Sequence, residues 1–291
     1  MPEKSLYQNI FITGTIGTGK TSSAMYPFTK QLINYSHQNS KQKLGMLILD
    51  VKGNYYQKVL EFAKEAHRLQ DIIVIELSGN YHYNPLHKPN LKPTVLANRL
   101  KTILLLFSKN NSETYWLDEA EKVLAEAIKL CRLYNDNYVT FEELHKLVTQ
   151  SSYYVGKIAL LREKFTQNAF SQNEIYDLLS SITFFEKEFF SLDARTLSIL
   201  KSEITRITNC FISDYEVLKT FNPTQVELNF LGFEEVLAKG KIVVLNMNIS
   251  EYSNLSKIIA AYLKLDFQTE VMSRLSKYPT HELRSVCFIS D

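Results

Sequence analysis

The sequence predicts an α/β fold in which a mostly parallel sheet is interrupted by an inserted all-helical subdomain. Short apolar runs alternate with helix-compatible segments up to about residue 90, whereas every strong periodicity from Pro93 to about Phe221 is helical. Apolar strand runs then return at Ile242–Leu245 and Val286–Ile289. Strands that alternate with helices imply a parallel sheet covered on both faces, and the helical middle implies an insertion into it. The expected boundaries are 1–90 for the first part of the sheet domain, 91–219 for the helical subdomain and 220–291 for the second part. With 291 residues, 45% of them hydrophobic, the chain can bury one large core or a core with a satellite.

Taken in order, Asn9 to Thr13 reads as a short buried strand, followed by the run GTIGTGKT and a helix from Thr21 to about Tyr35. A second strand, Met46–Leu49, ends at Asp50, and a third, Ile72–Ile75, ends at Glu76, with a helix from Tyr55 to Arg68 between them. In the middle region Leu96, Leu100, Ile103, Leu104 and Phe107 form one helical stripe. Leu117, Ala120, Leu124, Ile128 and Cys131 form another. Thr140 and Glu143 have capping-box spacing ahead of Leu144, Leu147 and Val148. The three-four spacing of Leu197, Leu200, Ile204, Ile207 and Phe211 predicts a long amphipathic helix, and a last helix covers about Leu255 to Leu275.

Gly14 to Thr21 matches G-x-x-x-x-G-K-[ST]. Glycines at these places let the backbone wrap so that its N–H groups point at the phosphates of a nucleotide, and the helix that follows adds its positive end. Gly14, Thr15, Gly17, Thr18, Gly19, Lys20, Thr21 and Ser22 are the expected nucleotide-binding residues. Lys20 is expected on the phosphates, and the Thr21 hydroxyl on Mg²⁺. A second Mg²⁺ anchor is expected from an aspartate at a strand end; Asp50 and Asp291 both qualify, and the late apolar run Val286–Ile289 favours Asp291.

Composition narrows the remaining classes. Cys131, Cys210 and Cys287 are far apart in apolar runs, which supports neither a disulfide frame nor a zinc knuckle and fits a reducing compartment. The polar start and the lack of about 20 continuous apolar residues argue against a signal peptide or spanning helix in this chain. A net charge of +2 carries no bulk argument for or against nucleic acid.

Several runs together resemble the coupling ATPases of type IV secretion and conjugation, a branch of the FtsK/HerA-like DNA-pumping P-loop ATPases. GTIGTGKTSSAMYPF is similar to that family's phosphate loop, and LILDVKGNYY to its second-strand motif. YNPL at Tyr83–Leu86 is similar to a loop after the third strand, and YWLDEAEKVLAEAI to the start of the inserted helical domain. GKIVVLNM and VCFISD resemble the two late strands, the last ending on Asp291. Val51 and Asn54 stand where the family usually has proline and an acidic residue.

The resemblance implies a RecA-like P-loop NTPase core that binds ATP and Mg²⁺, with Lys20 and Asp291 as catalytic residues. It also implies a ring, expected to be a hexamer, acting on DNA together with type IV secretion components and substrate proteins. An arginine supplied in trans is expected in such rings, for which Arg195, Arg206 and Arg274 are candidates. The implied location is cytoplasmic, peripheral to the inner face of the membrane, and the stop at Asp291 implies a chain cut at the metal-binding strand. A nucleotide-gated docking platform without translocation is the second expectation. A kinase or GTPase fits less well, for no Asn-Lys-x-Asp run is present and the helical insertion is large for a kinase lid.

Overall fold

A computed structural model describes residues 7–50, 53–107, 114–167, 170–247 and 249–290. The chain divides into two compact units. One comprises Met1–Val74, Phe233–Tyr252 and Phe267–Asp291, and the other Ile75–Gly232 and Ser253–Asp266.

The first unit is built on a four-stranded parallel sheet of β1 (Gly45–Asp50), β2 (Ile72–Ile75), β3 (Ile242–Asn246) and β4 (Val286–Ser290), in the order β2-β3-β1-β4. β1 is central: Met46 pairs with Ile242 on one side and with Cys287 on the other. All six of its residues are buried, which explains a run of unbroken apolar residues rather than an alternating one. Helices α1 (Tyr26–Asn34) and α2 (Tyr55–Glu65) cover one face, where Ile33, Val59 and Phe62 pack on Met46, Ile48, Ile242 and Val244. β4 is an edge strand, and Phe288 on it is exposed.

Asn9 to Thr13 departs from expectation. Residues 9–15 have no regular structure, and Phe11 is 90% exposed. A strand exists only through its ladder, and an apolar run of this length cannot hold an extended conformation without a partner.

The second unit is helical: α3 (Pro93–Phe107), α4 (Thr114–Tyr134), α5 (Phe141–Thr149), α6 (Ser151–Thr166), α7 (Gln172–Thr183), α8 (Ala194–Ile212) and α9 (Tyr215–Phe221). In the first unit again, α10 (Phe233–Lys239) precedes β3, and the long α11 (Ile249–Lys277) supplies residues to both units. The predicted stripes face inward, with Leu96, Leu100, Ile103, Leu117, Leu124, Ile128 and Ile204 all buried. Thr140 caps α5 by accepting from the Glu143 N–H, but the Glu143 carboxylate accepts from the hydroxyls of Tyr134 and Tyr153 instead of closing the box. The complete capping box is at Ser171 and Glu174, ahead of α7.

The helical unit spans more than 91–219, because the stretch after β2 is tied into it. Tyr83 donates its hydroxyl to buried Asp266 of α11 at 2.8 Å, and Asn84 donates to the Val139 carbonyl at 2.8 Å. Lys88 and Arg99 also pair with Asp266, at 2.6 and 3.3 Å. The YNPL run is therefore a staple within the helical unit. Pairing and hydrogen bonding of this kind are what permit a carboxylate to be buried.

Candidate functional site

The glycine-rich run curls ahead of a helix. Gly17 and Gly19 have φ of +83° and +77°, a region that a side chain disfavours. A Cβ at Gly14 would stand 2.9 Å from the Thr18 hydroxyl, so glycine there is a requirement of space. Thr18 closes the turn by donating its hydroxyl to the Thr15 carbonyl at 2.9 Å. Lys20 begins the helical segment; Thr21–Met25 form a π-helical turn that runs directly into α1, with Ser23 N–H donating to the Gly19 carbonyl at 2.7 Å.

Two sets of contacts fix the direction of α1. Near its start, Tyr26 stacks on Tyr55 at 5.2 Å, and the Thr29 and Tyr55 hydroxyls are hydrogen-bonded. Tyr55 follows the carboxyl end of β1. At the other end, the carbonyls of Ile33 and Leu44 share the guanidinium of Arg68, and Leu44 precedes β1. The helix therefore runs antiparallel to β1, and the glycine-rich loop stands at the carboxyl edge of the sheet. In open α/β sheets, that is the edge where ligands bind.

The Lys20 ammonium donates to the carbonyls of Gly14 and Thr15, both at 2.7 Å. It thus lies over the loop rather than in a core, and residues 13–18 are exposed. Ser22 turns its hydroxyl back to the Gly19 carbonyl at 3.2 Å, and Thr21 is half-buried at the first position of the π turn. Gly14, Thr15, Gly17, Thr18, Gly19, Lys20, Thr21 and Ser22 are thereby brought into one turn. A curled backbone, a cation held over it and a helix start make an arrangement suited to an oligophosphate. The lack of a side chain at Gly17 and Gly19 leaves the backbone there open to close approach by a nucleotide tail.

Asp50 does other work. Its carboxylate is fully buried and accepts from the backbone N–H groups of Gly53, Tyr55 and Tyr56 at 2.9, 2.6 and 2.9 Å. It is a cap for α2, which removes it as the metal-anchoring alternative. Asp50→Asn is expected to lower unfolding stability by about 1–3 kcal/mol, measured by denaturant titration, because a charge-assisted set of bonds becomes a neutral one. Unchanged stability would contradict the capping role.

Asp291, Val51 and Lys52 lie outside the described residues. Among the described residues no cluster of three His, Cys, Asp or Glu side chains suits a metal ion. Of the three arginines, Arg195 is exposed in the first turn of α8, and Arg206 pairs with Glu203 at 3.2 Å. Arg274 donates to the Arg284 carbonyl at 3.0 Å, and burial holds its pKa below the ordinary arginine value. Burial pushes the Cys287 thiol up to about 11, away from the reactive thiolate form.

No helix among the described residues is long and apolar enough to cross a membrane. Residues 1–185 match the family described as the type IV secretion-system coupling protein DNA-binding domain. A comparison with curated proteins gave no match.

Proposed function

The chain belongs to the type IV secretion-system coupling protein family, through its DNA-binding domain, and from that premise we propose that it is an ATP-binding motor subunit. In this proposal a RecA-like P-loop core drives DNA, or a DNA–protein conjugate, toward a type IV secretion channel. The observation that carries it is the glycine-rich turn at Gly14–Thr21, placed at the carboxyl edge of a parallel sheet and lying within the matched span.

The backbone of Gly17–Thr21 and the Lys20 ammonium would hold the triphosphate tail of ATP. The Thr21 hydroxyl would take Mg²⁺, with Asp291 as the second anchor. The metal neutralises developing charge on the phosphates when bound. Lys20 adds a second positive charge on the protein's side, and its present bonds to two carbonyls keep it oriented over the loop. A homo-oligomeric ring, expected to be a hexamer, would act on DNA with secretion components and substrate proteins as partners, peripheral to the inner face of the membrane.

A nucleotide-gated docking platform, in which ATP binding alters partner affinity without translocation, is the second reading. Turnover separates the two. ATP hydrolysis stimulated by DNA, measured as phosphate release on the full-length protein with Lys20→Ala as the blank, is the expected result. ATP binding with hydrolysis indifferent to DNA would sink the motor and leave the platform. Competition by GTP as strong as by ATP would argue against an adenine-specific site.

A further inference from the structure

Parallel strands bring every segment that precedes a strand to one edge of the sheet, opposite the glycine-rich loop. In this sheet that edge is basic. Lys41 and Lys43 precede β1, Lys239 and Lys241 precede β3, and Lys277 and Arg284 precede β4. Two of the carboxylates there are engaged by cations, and a third, Glu282, is exposed beside a histidine. Asp71 is spent on Arg68 and Lys43, Glu235 on Lys239 and Lys241, and Glu282 lies 3.7 Å from His281. Lys41 and Lys277 are exposed and have no ion-pair partner among the described residues.

The same edge carries exposed apolar side chains. Tyr35 beyond α1 is 38% exposed, Leu69 ahead of β2 is 47%, and Leu275 and Tyr278 at the end of α11 are 61% and 51%. Lysines interleaved with tyrosines and leucines are the composition of a membrane-interface surface, where the ammonium groups meet headgroups and the apolar groups enter the acyl boundary. We propose that this edge docks on a bilayer surface rich in anionic phospholipid.

The placement of the arginines favours lipid over nucleic acid. Arg68 and Arg284 turn their guanidinium forks inward to the carbonyls of Ile33, Leu44, Gly240, Ser40 and Ala238. The forks that suit bidentate recognition of phosphates and bases are thereby occupied, and the point charges of Lys41, Lys239 and Lys277 are the exposed ones. Leu69 and Leu275 gain nothing from a phosphate backbone and gain from an acyl boundary. Docking at this edge directs the glycine-rich loop, at the other end of the same strands, away from the bilayer.

Co-sedimentation with vesicles tests the proposal. The full chain is expected to bind equimolar phosphatidylcholine–phosphatidylglycerol vesicles and not vesicles of phosphatidylcholine alone. Each lysine near an anionic surface strengthens partition about fivefold, so the double variant Lys41→Glu/Lys277→Glu is expected to weaken it by more than about tenfold. Leu69→Ser/Leu275→Ser is expected to reduce the binding that survives added salt. The Lys41→Glu/Lys277→Glu protein should keep its melting temperature and its affinity for duplex DNA. Equal binding to both vesicle types, or undiminished binding by the charge-reversed variant, overturns the proposal. So does a parallel loss of DNA affinity in that variant, which would make the edge a nucleic-acid surface.

Discussion

Lys20→Ala is expected to weaken triphosphate binding by about 10²–10³-fold, measured by titration with a fluorescent ATP analogue, while leaving unfolding stability within about 0.5 kcal/mol. The two halves of this expectation have separate causes. Bonds from a cation to phosphate oxygens are charge-assisted, and losing a pair of them accounts for the affinity. The bonds that Lys20 makes in the structure go to exposed carbonyls, which water can satisfy when the ammonium is gone. Gly17 and Gly19 hold their positive φ regardless of the side chain at position 20, so the loop should keep its curl. Binding that survives the substitution undiminished would mean that the turn at Gly14–Thr21 is not the triphosphate site. A large fall in stability would mean that Lys20 holds the loop together, and the lost affinity would then be secondary.

What was legible in the sequence divides by how far each feature reaches along the chain. β2 occupies the predicted Ile72–Ile75, and β1 and β3 extend their predicted runs by a residue or two, because a buried parallel strand is a continuous apolar run. The stripe Leu200, Ile204, Ile207 and Phe211 faces inward along α8, because helical periodicity is local. Asn9–Thr13 has strand-like composition, yet composition says nothing of a partner, and no ladder forms there. Asp50 resembles any strand-end carboxylate until the chain is seen to fold back through Gly53, whose φ is +79°, to start α2. An aspartate shortly before a helix was the available signal of a cap. The full capping box at Ser171–Glu174 was equally visible, as S-x-x-E, although the residues after it repeat less cleanly than those after Thr140. The Asp266 cluster joins residues 183 positions apart at Tyr83 and 167 apart at Arg99, a span on which sequence spacing is silent.

Arg68→Ala is expected to cost about 3–5 kcal/mol of unfolding free energy, a large share of the about 5–15 kcal/mol that holds a typical domain folded. Arg68 is 1% exposed, and its guanidinium ties three separate parts of the sheet domain together. It donates to the Ile33 carbonyl near the end of α1 at 2.9 Å, to the Leu44 carbonyl before β1 at 3.1 Å, and to the Gly240 carbonyl before β3 at 2.6 Å. Its Nε bonds Asp71 at 3.0 Å, and Asp71 in turn holds Lys43 at 2.6 Å. Alanine leaves a cavity, three buried carbonyls without this donor, and an aspartate with only the lysine. Asp71 remains paired, so the main loss falls on the carbonyls, at about 1–3 kcal/mol for each that stays unsatisfied. Two further variants separate packing from hydrogen bonding. Arg68→Met restores most of the buried volume and none of the donors, and is expected to recover little of the loss. Arg68→Lys keeps the charge but offers a single point in place of a planar fork, so it cannot serve carbonyls on three elements at once and is expected to be intermediate. The measurement is denaturant unfolding of all three variants against the parent. A methionine variant as stable as the parent would show that the site needs bulk and not donors, and the account of Arg68 as the tie between α1, β1 and β3 would fail.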